Sequence, residues 1–385
     1  MEKGYEEINE KIRKNEAVVM DAEEIIDFVE QNGVKKAVKE VDIVTTATFG
    51  PMCSSGVFLN LGHSDPPIRI KKAYLNGVEA YAGIAAVDIY LGATATRDEG
   101  YSYGGAHVIQ DLIDGKEVEL VAEAHGTDCY PRKKLKATIT LEGINQAILF
   151  NPRNCYQNYA VATNSSDRTI YTYMGKLLPN FGNAAYSTTG QLSPLINDPY
   201  YETIGVGTRI FLGGATGYVV SEGTQHNPSI ERNMLGIPTG GAATLAVTGN
   251  LKEMNSEYLK ACSFKNYGTS LYVGIGVPIP ILNEKILTHT CIRNKDIITN
   301  IYDYSIPRRS RPSLGTVNYE ELMSGWITLN GKEVKTGCKS SYAKAKEITK
   351  ELKKRIEKGE FFIQKPIRRL PLDGKTKPLN RIIGE

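Results

Sequence analysis

Four strand-like segments follow one another between residues 136 and 175: KATITLEG (136–143), QAILFNP (146–152), YAVAT (159–163) and RTIYTYMG (168–175). They are rich in β-branched and aromatic residues, and turn residues recur between them every eight to twelve positions. That spacing is typical of antiparallel sheet and differs from repeated βαβ units, in which helical segments separate the strands. The centre of the chain is therefore predicted to be rich in antiparallel strands.

The flanking segments supply helices and further strands. Helical spacing predicts a surface helix over residues 5–14 and a second helix that begins at Asp21 and ends at Gly33. It also predicts a short helix over 106–113 and a long helix over 342–359. Strand patterns predict a buried strand over 41–49, a hairpin over 68–81 that turns at Asn76-Gly77, and a strand over 116–124. We expect a mixed α/β fold that leans towards α+β, with a strand-rich centre and helices near both termini. Residues 1–385 are predicted to form a single large unit without an internal boundary, in which 342–385 is a helix followed by an extended basic tail.

Composition and charge exclude several classes of protein. The hydrophobic fraction is 41% and the charged fraction is 23%, which is ordinary for a globular protein. The charged N-terminus lacks the apolar core of a signal peptide and no long apolar run occurs, so we expect a cytoplasmic protein without a membrane partner. A net charge of +3 gives no reason to expect a nucleic-acid partner. The 22 tyrosines exceed the 9 phenylalanines, and we expect many of these rings to line polar cavities.

The six cysteines are scattered along the chain. They form no C-x-x-C pair and no close cluster with histidine, so we predict no metal site. In a reducing compartment most such thiols are small buried apolar groups. Two of them, however, lie in loops that directly follow predicted strands.

Cys129 lies in the segment EAHGTDCYPRKK (123–134). Gly126 and Pro131 predict a surface turn, and the alternating strand before it places the thiol just beyond a half-buried strand. His125 and the basic residues 132–134 are neighbours in sequence, and nearby cations favour the thiolate, which is the form that attacks. The simpler interpretation is a loop cysteine without a role, beside a solvated basic cluster.

Cys53 lies in the loop GPMCSSG (50–56), which follows the predicted buried strand. Backbone N–H groups in such a loop can form an anion-binding nest that also favours a thiolate. A tight turn around a buried cysteine explains the same composition. Among the charged residues of other loops, Arg97 could hold a substrate carboxylate, although an exposed arginine is more often only solvated.

Three glycine-dense segments occupy residues 203–217, 236–246 and 273–280. None has the G-x-G-x-x-G spacing of a dinucleotide site, and none contains G-K-[ST]. Close backbone packing and turns explain them more simply than a cradle for a small anion.

The motifs GPMCSSG (50–56), HGTDCYP (125–131) and GTRIFLGGATGY (207–218) together resemble the homocysteine biosynthesis family of anaerobic archaea and bacteria, the L-aspartate semialdehyde sulfurtransferases. The resemblance spans residues from about 5 to about 370, and its specific part is the pair of cysteine motifs. Many members carry a C-terminal pair of CBS domains, which this sequence lacks, so the resemblance does not extend to regulation by nucleotides.

The resemblance implies a direct conversion of aspartate semialdehyde to homocysteine for methionine biosynthesis, with sulfide or a persulfide donor as the sulfur source. Cys129 matches the family's persulfide cysteine, and Cys53 matches its second cysteine. Cys53 would pass sulfur to Cys129 or form a disulfide with it, and His125 is a candidate acid/base for loss of water. Arg97 or Arg209 would bind the substrate carboxylate. No cofactor is expected on this chain, so electrons would come from a ferredoxin-like iron-sulfur partner. The sequence leaves open whether the protein forms a homo-oligomer.

Two other functions fit the sequence. The first is a non-catalytic protein that binds a small anion or a nucleotide and has structural cysteines, in which case the thiols would resist alkylation. The second is a cysteine-dependent hydrolase or acyltransferase, which requires a histidine within hydrogen-bond reach of the thiolate.

Overall fold

A computed structural model describes residues 3–97 and 100–379 of the chain. Its α-helices are α1 (Tyr5–Arg13), α2 (Glu24–Asn32), α3 (Val34–Glu40), α4 (Gly105–Ile113), α5 (Pro194–Asn197), α6 (Glu284–His289), α7 (Tyr319–Met323) and α8 (Tyr342–Glu357). Short 3-10 turns occupy Gly190–Leu192, Leu251–Glu253, Asn294–Asp296 and Arg308–Ser310. Residues 98–99 of the Arg97 loop and 380–385 of the predicted tail lie outside the described residues.

The strands run through the whole described chain. In order they are β1 (Val19–Asp21), β2 (Ile43–Pro51), β3 (Gly56–Asn60), β4 (Lys72–Leu75), β5 (Val78–Ala80), β6 (Asp88–Gly92), β7 (Thr96–Arg97), β8 (Gly100–Gly104), β9 (Val118–Glu123), β10 (Lys134–Ile139), β11 (Gln146–Asn154), β12 (Val161–Thr163), β13 (Ile170–Thr172), β14 (Gly175–Leu177), β15 (Ala184–Tyr186), β16 (Gly205–Val206), β17 (Arg209–Leu212), β18 (Ala215–Glu222), β19 (Leu245–Asn250), β20 (Leu259–Phe264), β21 (Gly268–Pro280), β22 (Ile298–Asp303), β23 (Ser313–Asn318), β24 (Trp326–Leu329), β25 (Lys332–Cys338) and β26 (Arg368–Arg369). Helices and strands together confirm the predicted mixed α/β class.

The largest sheet has the order β1-β2-β21-β17-β18-β19-β11-β3-β6, and β20 adds a second partner to β21. Its longest antiparallel pairing joins β2 to β21 from Ile43↔Pro280 to Pro51↔Tyr272. Every residue of β2 before Pro51 is buried, as the run of β-branched residues predicts. The side chains of this sheet contribute to the larger hydrophobic core, together with helices α1, α2, α4 and α8 and with a second sheet.

Helix α8 covers β2 and β21 and packs closest where β21 has glycines. A Cβ atom at Gly274 would lie 2.9 Å from Ile348 Cδ1, and one at Gly276 would lie 3.1 Å from Ile348 Cγ2. The glycines therefore allow the helix to approach the strand, which confirms the packing interpretation of the segment 273–280.

A second sheet has the order β10-β9-β4-β5. Its β4–β5 hairpin turns at Asn76 and Gly77, whose positive φ angles of 48° and 75° suit a tight two-residue turn, as predicted. Reciprocal hydrogen bonds between the backbones of Tyr81 and Tyr90 connect this sheet to β6 of the large sheet. The second sheet therefore extends the edge of the first.

A third sheet has the order β23-β22-β12-β15-β25-β24 and its own hydrophobic core. The pairs β12–β22 and β15–β25 are parallel, as is β1–β2 in the large sheet. These parallel pairings differ from the antiparallel pattern that turn spacing predicts. The partners are more than a hundred residues apart in two of the three pairs, so local turn signals do not report on them.

The predicted helices are confirmed with small shifts in their ends. At the start of α2, Asp21 Oδ1 accepts hydrogen bonds from the backbone N–H groups of Glu23 and Glu24, and Glu24 Oε2 accepts one from Asp21 N–H. This is the reciprocal capping that the sequence indicates. No helix among the described residues is long and apolar enough to cross a membrane.

Replacing Ile348 with alanine tests the packing of α8 on β21. Ile348 is fully buried, so we expect the variant to lower the free energy of unfolding by about 2–5 kcal/mol. Lys350 is exposed on the same helix, and Lys350→Ala should change the free energy of unfolding by less than about 0.5 kcal/mol. Urea unfolding followed by circular dichroism measures both. Equal midpoints for the two variants would show that α8 does not depend on this contact.

Candidate functional site

A cavity of about 200 Å³ opens where β2 ends, and Cys53 lines it. Apolar side chains from Pro51, Met52 and Met174 contribute to its wall, and Ser54, Ser187 and Gln225 add neutral polar groups. Cys53 itself is half-buried and its thiol is free. The cavity therefore offers a nucleophile that is sheltered yet reachable by a small ligand.

The loop that carries Cys53 is fixed at both ends. Met52 N–H donates to the carbonyl of Leu271 on β21 at 2.8 Å, and Ser55 N–H donates to the carbonyl of Met52 at 3.1 Å. Asn151 on β11 donates from Nδ2 to Ser55 Oγ at 2.8 Å, and its Oδ1 accepts a hydrogen bond from Ser54 Oγ at 3.2 Å. Strands β21 and β11 therefore hold the turn in place before any ligand binds.

Three cationic side chains line the cavity: Arg153, Arg308 and Lys339. No aspartate or glutamate lines it, and within residues 3–97 and 100–379 none of the three forms an ion pair. Arg153 Nε is buried without a hydrogen-bond partner in that part of the chain. Burial lowers the pKa of Lys339. A buried donor without a partner is costly, so the cavity is suited to an anionic ligand group such as a carboxylate.

Four tyrosines also line the cavity: Tyr156, Tyr159, Tyr173 and Tyr267. The hydroxyl groups of Tyr159 and Tyr173 are 3.3 Å apart, and Tyr173 and Tyr304 hydroxyls are 2.9 Å apart. Burial raises the pKa of Tyr156 to about 12, so its hydroxyl group keeps its proton at neutral pH. Aromatic faces and neutral hydroxyls are therefore the main surfaces of the cavity, as the excess of tyrosine predicts.

Cys262 is a second thiol near Cys53. It lies on β20, where it pairs with Ser270 of the neighbouring strand β21. Its Sγ lies 3.5 Å from the carbonyl oxygen of Ser270. Burial raises the pKa of Cys262 to about 12, and electrostatic interaction with the neighbouring Cys53 adds to the shift. Cys262 therefore stays a protonated thiol at neutral pH and is a weaker nucleophile than a thiolate.

Cys129 lies in an exposed turn beyond the end of β9, as predicted. Thr127 and Tyr130 close the turn with reciprocal backbone hydrogen bonds. The guanidinium of Arg132 donates to the carbonyl oxygens of Pro66 and Asp65 at 2.9 and 2.6 Å, so it anchors the loop to a neighbouring segment. An open thiol of this kind is accessible to a large partner as well as to a small molecule.

His125 lines a separate cavity of about 390 Å³ together with Arg69, Lys71, Gly126 and Tyr130. Lys71 Nζ lies 2.5 Å from His125 Nε2, so the ring nitrogen accepts a hydrogen bond from the lysine. His125 is four residues from Cys129 in the sequence. It is not among the residues that line the Cys53 cavity.

The structure does not bring Cys53 and Cys129 together. The pairings β9–β4, β4–β5, β5–β6 and β6–β3 separate their strands by four steps of about 4.8 Å each. Cys53 also precedes β3, whereas the Cys129 loop contacts residues 65–68, which follow the other end of β3. A disulfide requires Cα atoms within about 7 Å, so one between these two cysteines of one chain does not fit this conformation.

The two arginines that the sequence suggests for carboxylate binding lie elsewhere. Arg97 donates to the carbonyl of Asn76 at 2.7 Å and stacks 4.2 Å above the ring of Tyr103. Arg209 begins β17, and its Nε is buried without a partner in the described chain. Neither lines the Cys53 cavity. Sequence reasoning missed Arg153, Arg308 and Lys339 because they come from three distant segments, and only the excess of tyrosine signalled the cavity.

Comparisons with known proteins identify the family of the chain. A family model described as homocysteine biosynthesis enzyme, sulfur-incorporation, matches residues 17–363. The L-aspartate semialdehyde sulfurtransferase of Methanosarcina acetivorans is 54% identical over 382 residues, which cover 99% of this chain and 74% of the relative. The protein of the same name from Methanocaldococcus jannaschii is 55% identical over 94% of this chain and 72% of the relative. An uncharacterized protein of Methanothermobacter thermautotrophicus is 31% identical over 84% of this chain and 73% of its own length.

No solved structure matches the chain. The family model and the two relatives confirm the predicted resemblance to this family, and the matches cover nearly the whole sequence. The chain therefore belongs to the family of homocysteine biosynthesis enzymes that incorporate sulfur.

Proposed function

We propose that this enzyme is a sulfurtransferase that converts L-aspartate semialdehyde to L-homocysteine in the Cys53 cavity. The observation that carries the proposal is a free, half-buried thiol in a small cavity with three cations and no carboxylate. The names of the two relatives that are 54% and 55% identical supply the substrate.

The cavity suits each part of this substrate. Arg153 and Arg308 can bind the carboxylate through charge-assisted hydrogen bonds, because neither guanidinium is paired with an acid in the part of the chain described. The α-ammonium group of the substrate is attracted to the electron-rich faces of the tyrosine rings, because the cavity lining offers it no carboxylate. The aldehyde is then left to face the thiol of Cys53.

The chemistry requires a sulfur atom and electrons from outside the chain. The outer sulfur of a cysteine persulfide attacks the aldehyde carbon, which forms a C–S bond and turns the carbonyl into a hydroxyl group. Two electrons break the S–S bond and return the cysteine as a thiolate. Loss of water then gives a thioaldehyde, and two further electrons with two protons reduce it to the thiol. We propose a ferredoxin-type iron-sulfur protein as the donor of these electrons.

The positions of the thiols favour different roles from those that the motifs imply. Cys53 lines the cavity, so we assign to it the sulfur that reacts with the aldehyde. Cys129 is exposed, so we assign to it the receipt of sulfur from an external donor. His125 is four residues from Cys129 in the sequence and lines a separate cavity, so we assign to it an acid/base role in that loading step.

The alternative of a cysteine hydrolase has less support. Such an enzyme needs a histidine to activate its thiol, and the described residues that line the Cys53 cavity include none.

Serine variants of the cysteines test the division of roles. We expect Cys53→Ser to abolish anaerobic formation of homocysteine from aspartate semialdehyde, with a small-molecule persulfide as sulfur donor and a low-potential reductant supplied, because the reacting sulfur has no carrier in the cavity. Cys129→Ser should be slow with a protein-borne sulfur donor and regain activity with an excess of a small-molecule persulfide, which can pass its outer sulfur directly to Cys53. Cys291→Ser is the control, since Cys291 is half-buried and lines neither cavity. Full turnover by Cys53→Ser would contradict the proposed site.

Replacement of the cavity arginines tests substrate binding. Arg153→Gln and Arg308→Gln each remove a charge-assisted hydrogen bond worth about 1.5–3 kcal/mol, so KM for aspartate semialdehyde should rise about 10- to 100-fold. Steady-state kinetics measure the change. Arg97→Gln is the control, because Arg97 stacks on Tyr103 outside the cavity and should leave KM unchanged. A higher KM for Arg97→Gln, with unchanged KM values for Arg153→Gln and Arg308→Gln, would contradict this assignment and favour Arg97, as the sequence suggests.

A further inference from the structure

Lys339 is a nucleophile in the Cys53 cavity for which the mechanism above has no role. It follows β25 and precedes α8, and its side chain lines the same wall as Ser187 and Met174. The ammonium group forms no ion pair and no hydrogen bond with any residue in 3–97 or 100–379. An unpaired lysine beside a proposed aldehyde site requires an explanation, since burial of an amine without a partner is unfavourable.

The backbone of Lys339 is held by the same scaffold as Cys53. Lys339 N–H donates to the carbonyl of Tyr186 at 2.8 Å, and the hydroxyl of Tyr272 donates to the Lys339 carbonyl at 2.9 Å. Two residues on, Ser341 N–H donates to the carbonyl of Phe49 on β2 at 2.8 Å. Strands β2 and β21 thus fix both the thiol and the lysine at one end of the large sheet.

The side chain of Lys339 occupies space that a glycine leaves open. A Cβ atom at Gly175 would lie 2.5 Å from Lys339 Nζ and 2.9 Å from its Cε. Gly175 has a φ of +88°, a conformation that other residues rarely adopt. The lysine side chain therefore lies across this glycine, which directly follows Met174 of the cavity lining.

Burial lowers the pKa of Lys339, and the neighbouring Cys338 opposes this shift. A lower pKa increases the neutral fraction of the amine at neutral pH, and the neutral amine is the form that attacks a carbonyl. The position of Lys339 in the cavity and the direction of its pKa shift both favour the chemistry of an amine with an aldehyde.

We propose that Lys339 forms a protonated imine with the aldehyde carbon of the substrate and that the sulfur nucleophile adds to this imine. The inference rests on the proposed function, because it takes the ligand of the cavity to be a small amino-acid aldehyde. It makes Lys339 a catalytic residue of the sulfur-transfer step.

The step balances without any redox change. The neutral amine attacks the carbonyl carbon, a C–N bond forms, and the carbonyl oxygen leaves as water with the two hydrogens of the amine. One proton from solvent then converts the imine into its protonated form. A sulfur nucleophile then forms a C–S bond, and the electron pair of the C=N bond moves to nitrogen. The adduct then carries an S–H group, once any S–S bond to the cysteine has been reduced. The C=S bond forms as the C–N bond breaks, and the proton from sulfur moves to the departing amine. For a persulfide, the iron-sulfur donor already proposed supplies the two electrons that break the S–S bond first.

This route gives water loss a place in the cavity. The sequence assigns that step to His125, which lies in the other cavity, whereas imine formation expels water next to Cys53. A protonated imine is also a better electrophile than an aldehyde, so the lysine activates the carbon that the sulfur attacks.

Borohydride trapping tests the imine. We expect anaerobic incubation with aspartate semialdehyde and sodium cyanoborohydride, without a sulfur source, to add the mass of the aldehyde less one oxygen atom to the peptide that contains Lys339. Lys339→Arg keeps the charge and cannot form the imine, so it should lose this label. Lys176→Arg is the control, since Lys176 is exposed next to Gly175, and it should be labelled at Lys339 as the wild type is.

Alkylation of Cys53 distinguishes the two ways to fail. If Lys339 stays unlabelled while aspartate semialdehyde protects Cys53 from iodoacetamide, the substrate binds and the imine is overturned. If Lys339 stays unlabelled and Cys53 is not protected, the proposed function fails with it. Equal labelling of Lys339 and of exposed lysines would also overturn the inference, because it indicates unselective reaction with the aldehyde.

Discussion

The antiparallel pairing of β2 with β21 is the constraint on which the site depends. It runs through nine residue pairs, from Ile43↔Pro280 to Pro51↔Tyr272, and α8 packs on it through the glycines of β21. At its end, β21 holds the Cys53 turn through Leu271 and the Lys339 carbonyl through Tyr272. A change in the register of this pair by one residue would turn every side chain to the opposite face and dismantle the cavity wall.

Local signals in the sequence predict the local structure well. The Asp21 cap, the Asn76-Gly77 hairpin and the buried strand β2 are all set by residues close to one another in the chain. The order of strands is set by contacts between distant segments, and a single sequence carries no record of them. The parallel pairs β12–β22 and β15–β25 are examples, because turn spacing cannot report partners so far apart.

The same limit explains which parts of the site the sequence predicts. Each cysteine loop is recognisable because its glycine, proline and serine residues are adjacent to the thiol. The cations that face Cys53 come from β11, from a 3-10 turn and from the segment after β25, so no motif unites them. Arg97 was a reasonable candidate by composition, but a backbone carbonyl and the Tyr103 ring already bind its guanidinium.

The two thiols of the family motifs have different surroundings, which supports a division of labour. Cys53 is sheltered with cations and aromatic rings, whereas Cys129 is exposed in a turn on another sheet. Direct exchange of sulfur between them does not fit the conformation described, so sulfur that arrives at Cys129 must be carried to the cavity. A small diffusible persulfide or a partner protein that carries a persulfide meets that requirement, because each delivers sulfur without a further oxidant.

The most direct test of the account is to locate the reactive persulfide by peptide mass spectrometry of anaerobically purified protein after loading with sulfur. The account predicts one added sulfur atom on the Cys53 peptide that disappears when aspartate semialdehyde and reductant are added. An added sulfur atom on Cys129 alone, discharged by the aldehyde at the same rate in a Cys53→Ser variant, would contradict it.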